Sequence, residues 1–162
     1  MRHFRGNDLP HILRRGVETS LAQLVPREIP GATVAGVTAQ LHRMYELALQ
    51  QPQATVLVVD WPGGVAATGS APDGGPAAYT LLLPQSNVFT GEPELMVMDI
   101  FTHPHLRGRG IGRDLLAAAA RYADAVGCRS MAAQVALHNR SSLRLFRSCG
   151  FQEERVLLGR RL

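Results

Sequence analysis

The stretch that decides the fold is His103-Pro104-His105-Leu106-Arg107-Gly108-Arg109-Gly110-Ile111-Gly112-Arg113-Asp114, read with its flanks. Upstream, Glu94–Thr102 (ELMVMDIFT) reads as a strand carrying a bulky apolar set. Downstream, Ile111, Leu115, Ala119, Tyr122 and Val126 recur at spacings of four, four, three and four, which lines one face of a helix. Gly127 stands where a helix takes its C′ residue. The chain therefore runs strand, turn rich in glycine and arginine, helix.

That order has a chemical consequence. The first amides of a helix lack intrahelical partners, and the helix dipole adds about half a positive charge there. Gly108, Gly110 and Gly112 carry no side chain to hold a ligand off the backbone, while Arg107, Arg109 and Arg113 surround the spot with charge. The segment reads as a site for phosphate or pyrophosphate. A Walker loop is excluded because Gly112 is followed by Arg113-Asp114, and the chain contains no lysine. A dinucleotide fingerprint counted from Gly108 and Gly110 needs a third glycine where Arg113 stands.

Arg107-x-x-Gly110-x-Gly112, after a strand ending in His-Pro, resembles the coenzyme A pyrophosphate loop of the GNAT superfamily of acyl-CoA N-acyltransferases. Members of that superfamily carry Asn-x-x-Ala/Ser-x-x-Leu-Tyr-x-x-x-Gly-Phe on the helix after the next strand. Here Asn139, Ser142, Leu145, Phe146, Gly150 and Phe151 take those positions, about 30 residues downstream. The resemblance is specific over residues 94–155 and extends to layout elsewhere.

The resemblance implies an α/β protein with the GNAT fold: a central mixed, mostly antiparallel sheet flanked by about four helices and splayed at the strand before the Arg/Gly-rich loop. It implies an N-acetyltransferase that moves an acetyl group from acetyl-CoA, its co-substrate, directly to an amine. Cofactor contacts then fall on Ile100, Phe101 and Thr102, whose backbone groups pair with the pantetheine arm. They continue on Arg107, Gly108, Arg109, Gly110, Ile111, Gly112 and Arg113 for the pyrophosphate, and on Asn139 and Ser142. A backbone amide at Thr102 is expected to polarise the thioester oxygen. As a plain reading of the residues, the same strand is a core strand, and Asn139 is a good helix N-cap.

An amine acceptor must lose a proton before it attacks. Asp99 is the candidate base, with Glu94 and His103 on the same strand; the alternative for Asp99 is a carboxylate paired with an arginine. In a regular strand residues 94 and 99 point to opposite faces. The family's tyrosine, which protonates the departing thiolate, is replaced by Phe146. A catalytically weak acyl-CoA-binding module is therefore the second reading. The histidines read as loop residues, and no metal site is expected.

Composition fits these expectations. A chain of 162 residues suits one domain, expected to span 1–162. No apolar run approaches a membrane span, and the N-terminus lacks the apolar core of a signal peptide, so a cytoplasmic protein is expected. Cys128 and Cys149 are expected as free thiols. Between His103 and Gly150 eight arginines face Asp114 and Asp124, whereas the remaining segments hold nine arginines and eleven acids. The positive field thus sits on the half proposed to hold a polyanion. A basic nucleic-acid-binding protein is the third reading, disfavoured by the scarcity of interleaved aromatics. Family members are often homodimers, which sets that assembly as an expectation.

Along the chain, Met1–Arg5 reads as an edge strand, and a helix starts after Asp8 with Gly16 as a weak point. A second helix spans about Thr33–Gln50, followed by a buried strand Ala54–Asp60. Val65–Ser70 is its expected hairpin partner, Ala78–Leu83 a further strand, and Pro84–Pro93 a loop. Arg129–Ala136 reads as a strand, Asn139–Cys149 as a short helix, and Phe151–Leu162 as a terminal strand or hairpin.

Overall fold

The structure, a computed structural model, describes residues 1–26, 28–61 and 74–160. Five strands form one sheet in chain order: β1 (Arg2–His3), β2 (Thr55–Val59), β3 (Ala78–Ser86), β4 (Pro93–Thr102) and β5 (Ser130–Ala133). Every neighbouring pair is antiparallel except β4 with β5, which is parallel. Helices α1 (Leu9–Gln23) and α2 (Val34–Leu49) cover one face; α3 (Ile111–Ala125) and α4 (Arg140–Ser148) pack on the other.

The helix boundaries follow local chemistry. Thr33 accepts a hydrogen bond from the Gly36 amide at 3.0 Å and caps α2. Gly16 is no weak point: α1 runs through it, and an added Cβ would meet Leu41 of α2 at 3.5 Å. On the α1/α2 face, Ile12, Val17, Leu41 and Tyr45 bury against Val56, Val58, Tyr79, Leu81 and Phe101. On the other face, Leu115, Leu116, Ala119 and Phe146 bury against Leu57, Leu82, Leu95 and Val97.

Two expectations change. β3 runs on through Pro84 to Ser86, where a loop was expected. Pro84 lies beyond the last β2–β3 pair, Thr55↔Leu82, so β3 has one neighbour there and tolerates a missing N–H. Phe151–Arg160 forms no strand; Val156, Leu157 and Leu158 are 71%, 78% and 87% exposed, so the apolar triplet finds no sheet to cover. The expected hairpin partner Val65–Ser70 lies outside the described residues, as do Arg161 and Leu162. No helix among the described residues is long and apolar enough to cross a membrane.

The N-terminus is fastened by charge. Arg2 donates from Nη1 and Nη2 to the two Asp8 carboxylate oxygens, at 2.7 and 2.8 Å, and from Nε to Asp60. Arg2, helped by the Arg5 amide, holds the Asp8 carboxyl below the usual carboxylate range despite its burial. Because the folded-state pKa is depressed, this stabilisation is present above the unfolded value of about 3.9 and is lost as pH falls through the lower folded value. Arg2→Met is expected to cost about 2–3 kcal/mol at neutral pH, since it strands a buried carboxylate. Denaturant unfolding of both proteins from pH 7 to pH 3 checks this: the gap should close on the acid side.

Candidate active site

The site begins where β4 and β5 part. Their parallel ladder covers only Glu94–Val97 against Ser130–Ala133, while β4 continues to Thr102 paired with β3 on its other side. A bulge follows at the parting: Leu82 pairs with Val97 and Leu81 with Asp99, so Met98 is the extra residue. The bulge inverts the side-chain alternation. Leu95 and Val97 face α3 and α4, whereas Phe101 faces α1 and α2.

Backbone direction follows from the register. The His103 N–H bonds the Ala77 carbonyl at 2.9 Å, so by antiparallel alternation Phe101 turns its backbone groups toward Tyr79. The N–H and C=O groups of Ile100 and Thr102 then turn to the open edge. Of the three strand residues expected to face a ligand, Phe101 does not: its ring is buried, stacked on Tyr79 at 5.3 Å with the Arg15 guanidinium 5.4 Å away. Period-two spacing could not tell Phe101 from its neighbours without the partner strand.

From Thr102 the chain passes through a short 3-10 turn (Pro104–Leu106) into the glycine-arginine loop. Arg107 folds back, Nε donating to the Thr102 carbonyl at 3.2 Å. Gly108 and Gly110 have φ of 76° and 85°, and a Cβ added to either would meet nothing within 4 Å. Gly110 is the N-cap of α3; its carbonyl accepts from the Arg113 and Asp114 amides. The amides of Ile111 and Gly112, in the first helical turn, have no intrahelical acceptor. Among the described residues Arg109 has no ion-pair partner, so its charge is available to an anion.

Gly112 plays a different part from the one its place in the motif suggests. Its missing Cβ would lie 3.0 Å from Leu145 Cδ2 of α4, so it lets the two helices approach. Arg113 also reaches α4, donating from Nε to Ser148 Oγ at 3.3 Å. Asn139 caps α4, its Oδ1 accepting from the Ser142 amide at 3.1 Å and from Ser141 Oγ at 2.9 Å. The capping role is thus filled by Oδ1, and the Asn139 amide NH2 remains for a ligand. Ser142 is half-buried on the first turn of α4. Phe146 is 6% exposed and meets Phe151 edge to face at 5.0 Å.

Asp99 departs most from expectation. The bulge turns its side chain onto the α1/α2 face, where Oδ2 accepts from Tyr45 Oη at 2.8 Å. Burial raises its carboxyl above the usual range, opposed chiefly by the hydrogen bond from Tyr45. Tyr45 and Tyr79 are in turn pushed well above 10 by burial and by the Asp99 charge, so both remain proton donors. Glu94 stands at the far end of β4, held by Gln85 and Asn87 at 3.2 Å each. His103 ends β4 between Trp61 and His105, with ring centroids at 4.8 and 5.2 Å. Sequence reading missed Tyr45 as the partner of Asp99. A hydroxyl within an otherwise apolar helical stripe was the available signal for Tyr45.

The Acetyltransferase (GNAT) family model matches residues 33–151. The aminoglycoside N(6')-acetyltransferase type 1 of Salmonella typhimurium is 36% identical over 70 residues, 43% of this chain and 48% of that enzyme. The match thus spans about half the length of that curated relative. A Pyrococcus furiosus protein described as an acetyl transferase superposes with a TM-score of 0.75 at 15% identity, over 97% of this chain and 95% of that one. The aminoglycoside N-acetyltransferase AAC(6')-Iy, bound to a bisubstrate analogue of CoA and acetylneamine, superposes with a TM-score of 0.63 at 24% identity, over 99% and 96%. At these identities the superpositions speak for the fold alone.

Proposed function

Because the chain belongs to the Acetyltransferase (GNAT) family, we propose that it moves an acetyl group from acetyl-CoA to an amine held in the same cleft. The observation that carries this reading is a continuous path. The open edge of β4 leads directly into a loop and helix start built for an anion. That path suits a ligand with an amide-bearing arm and a pyrophosphate, and the absence of any atom within 4 Å of a Cβ at Gly108 or Gly110 leaves room for it.

In the proposed assignment, backbone groups of Ile100 and Thr102 pair with the pantetheine amides. Gly108, Arg109, Gly110, Ile111 and Gly112 receive the pyrophosphate through amides and charge, with Arg107 and Arg113 bracketing the loop. Asn139, through its amide NH2, and Ser142 approach the arm from α4. The amine lone pair attacks the thioester carbon, forming the C–N bond while negative charge gathers on the carbonyl oxygen. An open-edge amide, that of Thr102 in this assignment, stabilises that charge. The C–S bond then breaks, the amine proton leaves to solvent, and the CoA thiolate takes up a proton from water. Holding both reactants in one cleft supplies much of the acceleration.

The acceptor class remains at the level of an amine, with aminoglycosides first to be tried because a partial-length relative carries that name. A homodimer is carried forward as the proposed assembly. A cytoplasmic setting is proposed from the cofactor and from Cys128 and Cys149, which are free thiols. The test is amine-dependent thiol release from acetyl-CoA across a panel of aminoglycosides, polyamines, amino acids and peptides. Tight acetyl-CoA binding without release by any amine favours the binding-module reading that Phe146 motivates.

Phe146→Tyr gives a further check. From the sequence, the added hydroxyl is expected to supply the missing acid and raise turnover. The ring instead is 6% exposed within the apolar cluster between the sheet and α3/α4 and meets Phe151 edge to face, so a hydroxyl added there enters apolar surroundings. The substitution is therefore expected to cost about 1–3 kcal/mol of stability with no gain in turnover. Faster thiol release at unchanged melting temperature would show that the ring edge opens on the cleft.

A further inference from the structure

We infer that Asp99, held by Tyr45 and Thr80, is a positioning residue that fixes the bulge of β4 and so aims its open edge at the pantetheine arm; this rests on the cofactor reading above. Two contacts converge on one peptide. Tyr45 Oη, from α2, donates to the Asp99 carboxylate at 2.8 Å, while the Tyr79 hydroxyl donates to the Ile12 carbonyl at 3.4 Å. Thr80 Oγ1, fully buried on β3, donates to the Asp99 backbone carbonyl at 2.9 Å. Side chain and main chain of Asp99 are thus tied to two different elements, immediately after the extra residue Met98.

The bulge and the destination of the carboxylate depend on each other. Without Met98 as an extra residue, Asp99 would follow Leu95 and Val97 onto the face occupied by Leu115, Leu116 and Ala119. A carboxylate there would have no donors and would be prohibitively desolvated. With the bulge it reaches the Tyr45 phenol, and the next residues change phase: Ile100 packs toward α3 and α4 while Phe101 locks against Tyr79 and Arg15. That phase places the Ile100 and Thr102 backbone groups on the open edge. The carboxylate itself lies against α2, engaged by the Tyr45 hydroxyl, which suits a strut between that helix and β4. Burial pushes its carboxyl above the usual carboxylate range.

The test separates the arm from the phosphate loop. Calorimetry should compare acetyl-CoA with the phosphorylated adenosine diphosphate head of CoA alone, which lacks the pantetheine arm. Asp99→Ala is expected to weaken acetyl-CoA binding at least about tenfold and leave the head within about twofold; Tyr45→Phe, which keeps the volume, should weaken acetyl-CoA by about three- to tenfold. Asp99→Asn, which keeps an acceptor oxygen for the Tyr45 phenol, should restore acetyl-CoA affinity to within about twofold of wild type. Equal losses for both ligands would make the cluster merely structural and overturn the inference. So would unchanged acetyl-CoA affinity in Asp99→Ala, or wild-type affinity in Asp99→Asn combined with a loss of turnover above about 100-fold, which would mark a base. A wild-type protein that binds neither ligand overturns the cofactor reading, and this inference with it.

Discussion

Gly110→Asp is expected to give a folded protein that binds acetyl-CoA about 100-fold more weakly than wild type. The position has φ of 85°, which aspartate tolerates better than most residues, and an added Cβ meets nothing within 4 Å. Gly110 is also the N-cap of α3, where a carboxylate is favourable toward the helix dipole. The substitution therefore leaves the helix intact, with a melting temperature within a few degrees of wild type. The same carboxylate stands where the pyrophosphate is proposed to lie. Two unit charges about 4 Å apart repel by about 4 kcal/mol at an effective dielectric of 20, and solvent screening brings this nearer 3, or about 100-fold. Calorimetry against acetyl-CoA reads the affinity, and a thermal scan reads the fold. Unchanged affinity in a folded variant would remove the loop from the site.

Gly112→Val is expected to act on the fold first and on the ligand second. Its Cβ would enter at 3.0 Å from Leu145 Cδ2 and 3.2 Å from Cδ1, and the two methyl groups of valine extend further into α4. Overpacking of this kind typically costs about 1–3 kcal/mol. In a chain of this size that lowers the melting temperature by about 2–12 °C. Because Leu145 is the obstacle, Leu145→Ala should recover part of the loss when combined with Gly112→Val, giving a non-additive double-mutant cycle. Additive losses would mean that the helices are not in contact through this pair. The two glycines of one motif thus separate: Gly110 leaves space for a ligand and Gly112 leaves space for α4.

How much of this was legible in the sequence depended on the range of the information needed. The strand, loop and helix around Arg107–Arg113 were readable because each rests on local signals: apolar spacing of three and four, glycine at the turn, and glycine after the helix. The capping of α4 by Asn139 was readable for the same reason. The partner-dependent features were not. No spacing rule announces that Met98 is bulged, because a bulge is defined by β3 across from it. From that single residue follow the turn of the Asp99 side chain onto the α1/α2 face and the turn of the Phe101 backbone toward Tyr79, neither of which the spacing announces. Pro84 was read as a strand breaker because its tolerance comes from the absence of β2 beside it. The expected terminal strand after Phe151 was a pattern judgement on Val156, Leu157 and Leu158, and in the structure these residues have no sheet edge to join.

The central claim is that the open edge of β4 and the loop after it hold acetyl-CoA for attack by an amine. The most direct measurement is thiol release from acetyl-CoA by wild type and Gly110→Asp side by side, with and without each amine of the panel, and with the product identified by mass. Release that requires both an amine and the intact loop, accompanied by one acetyl group added to that amine, is the predicted result. Amine-dependent release of equal rate in the two proteins, or none by a wild type that binds acetyl-CoA tightly, would contradict it.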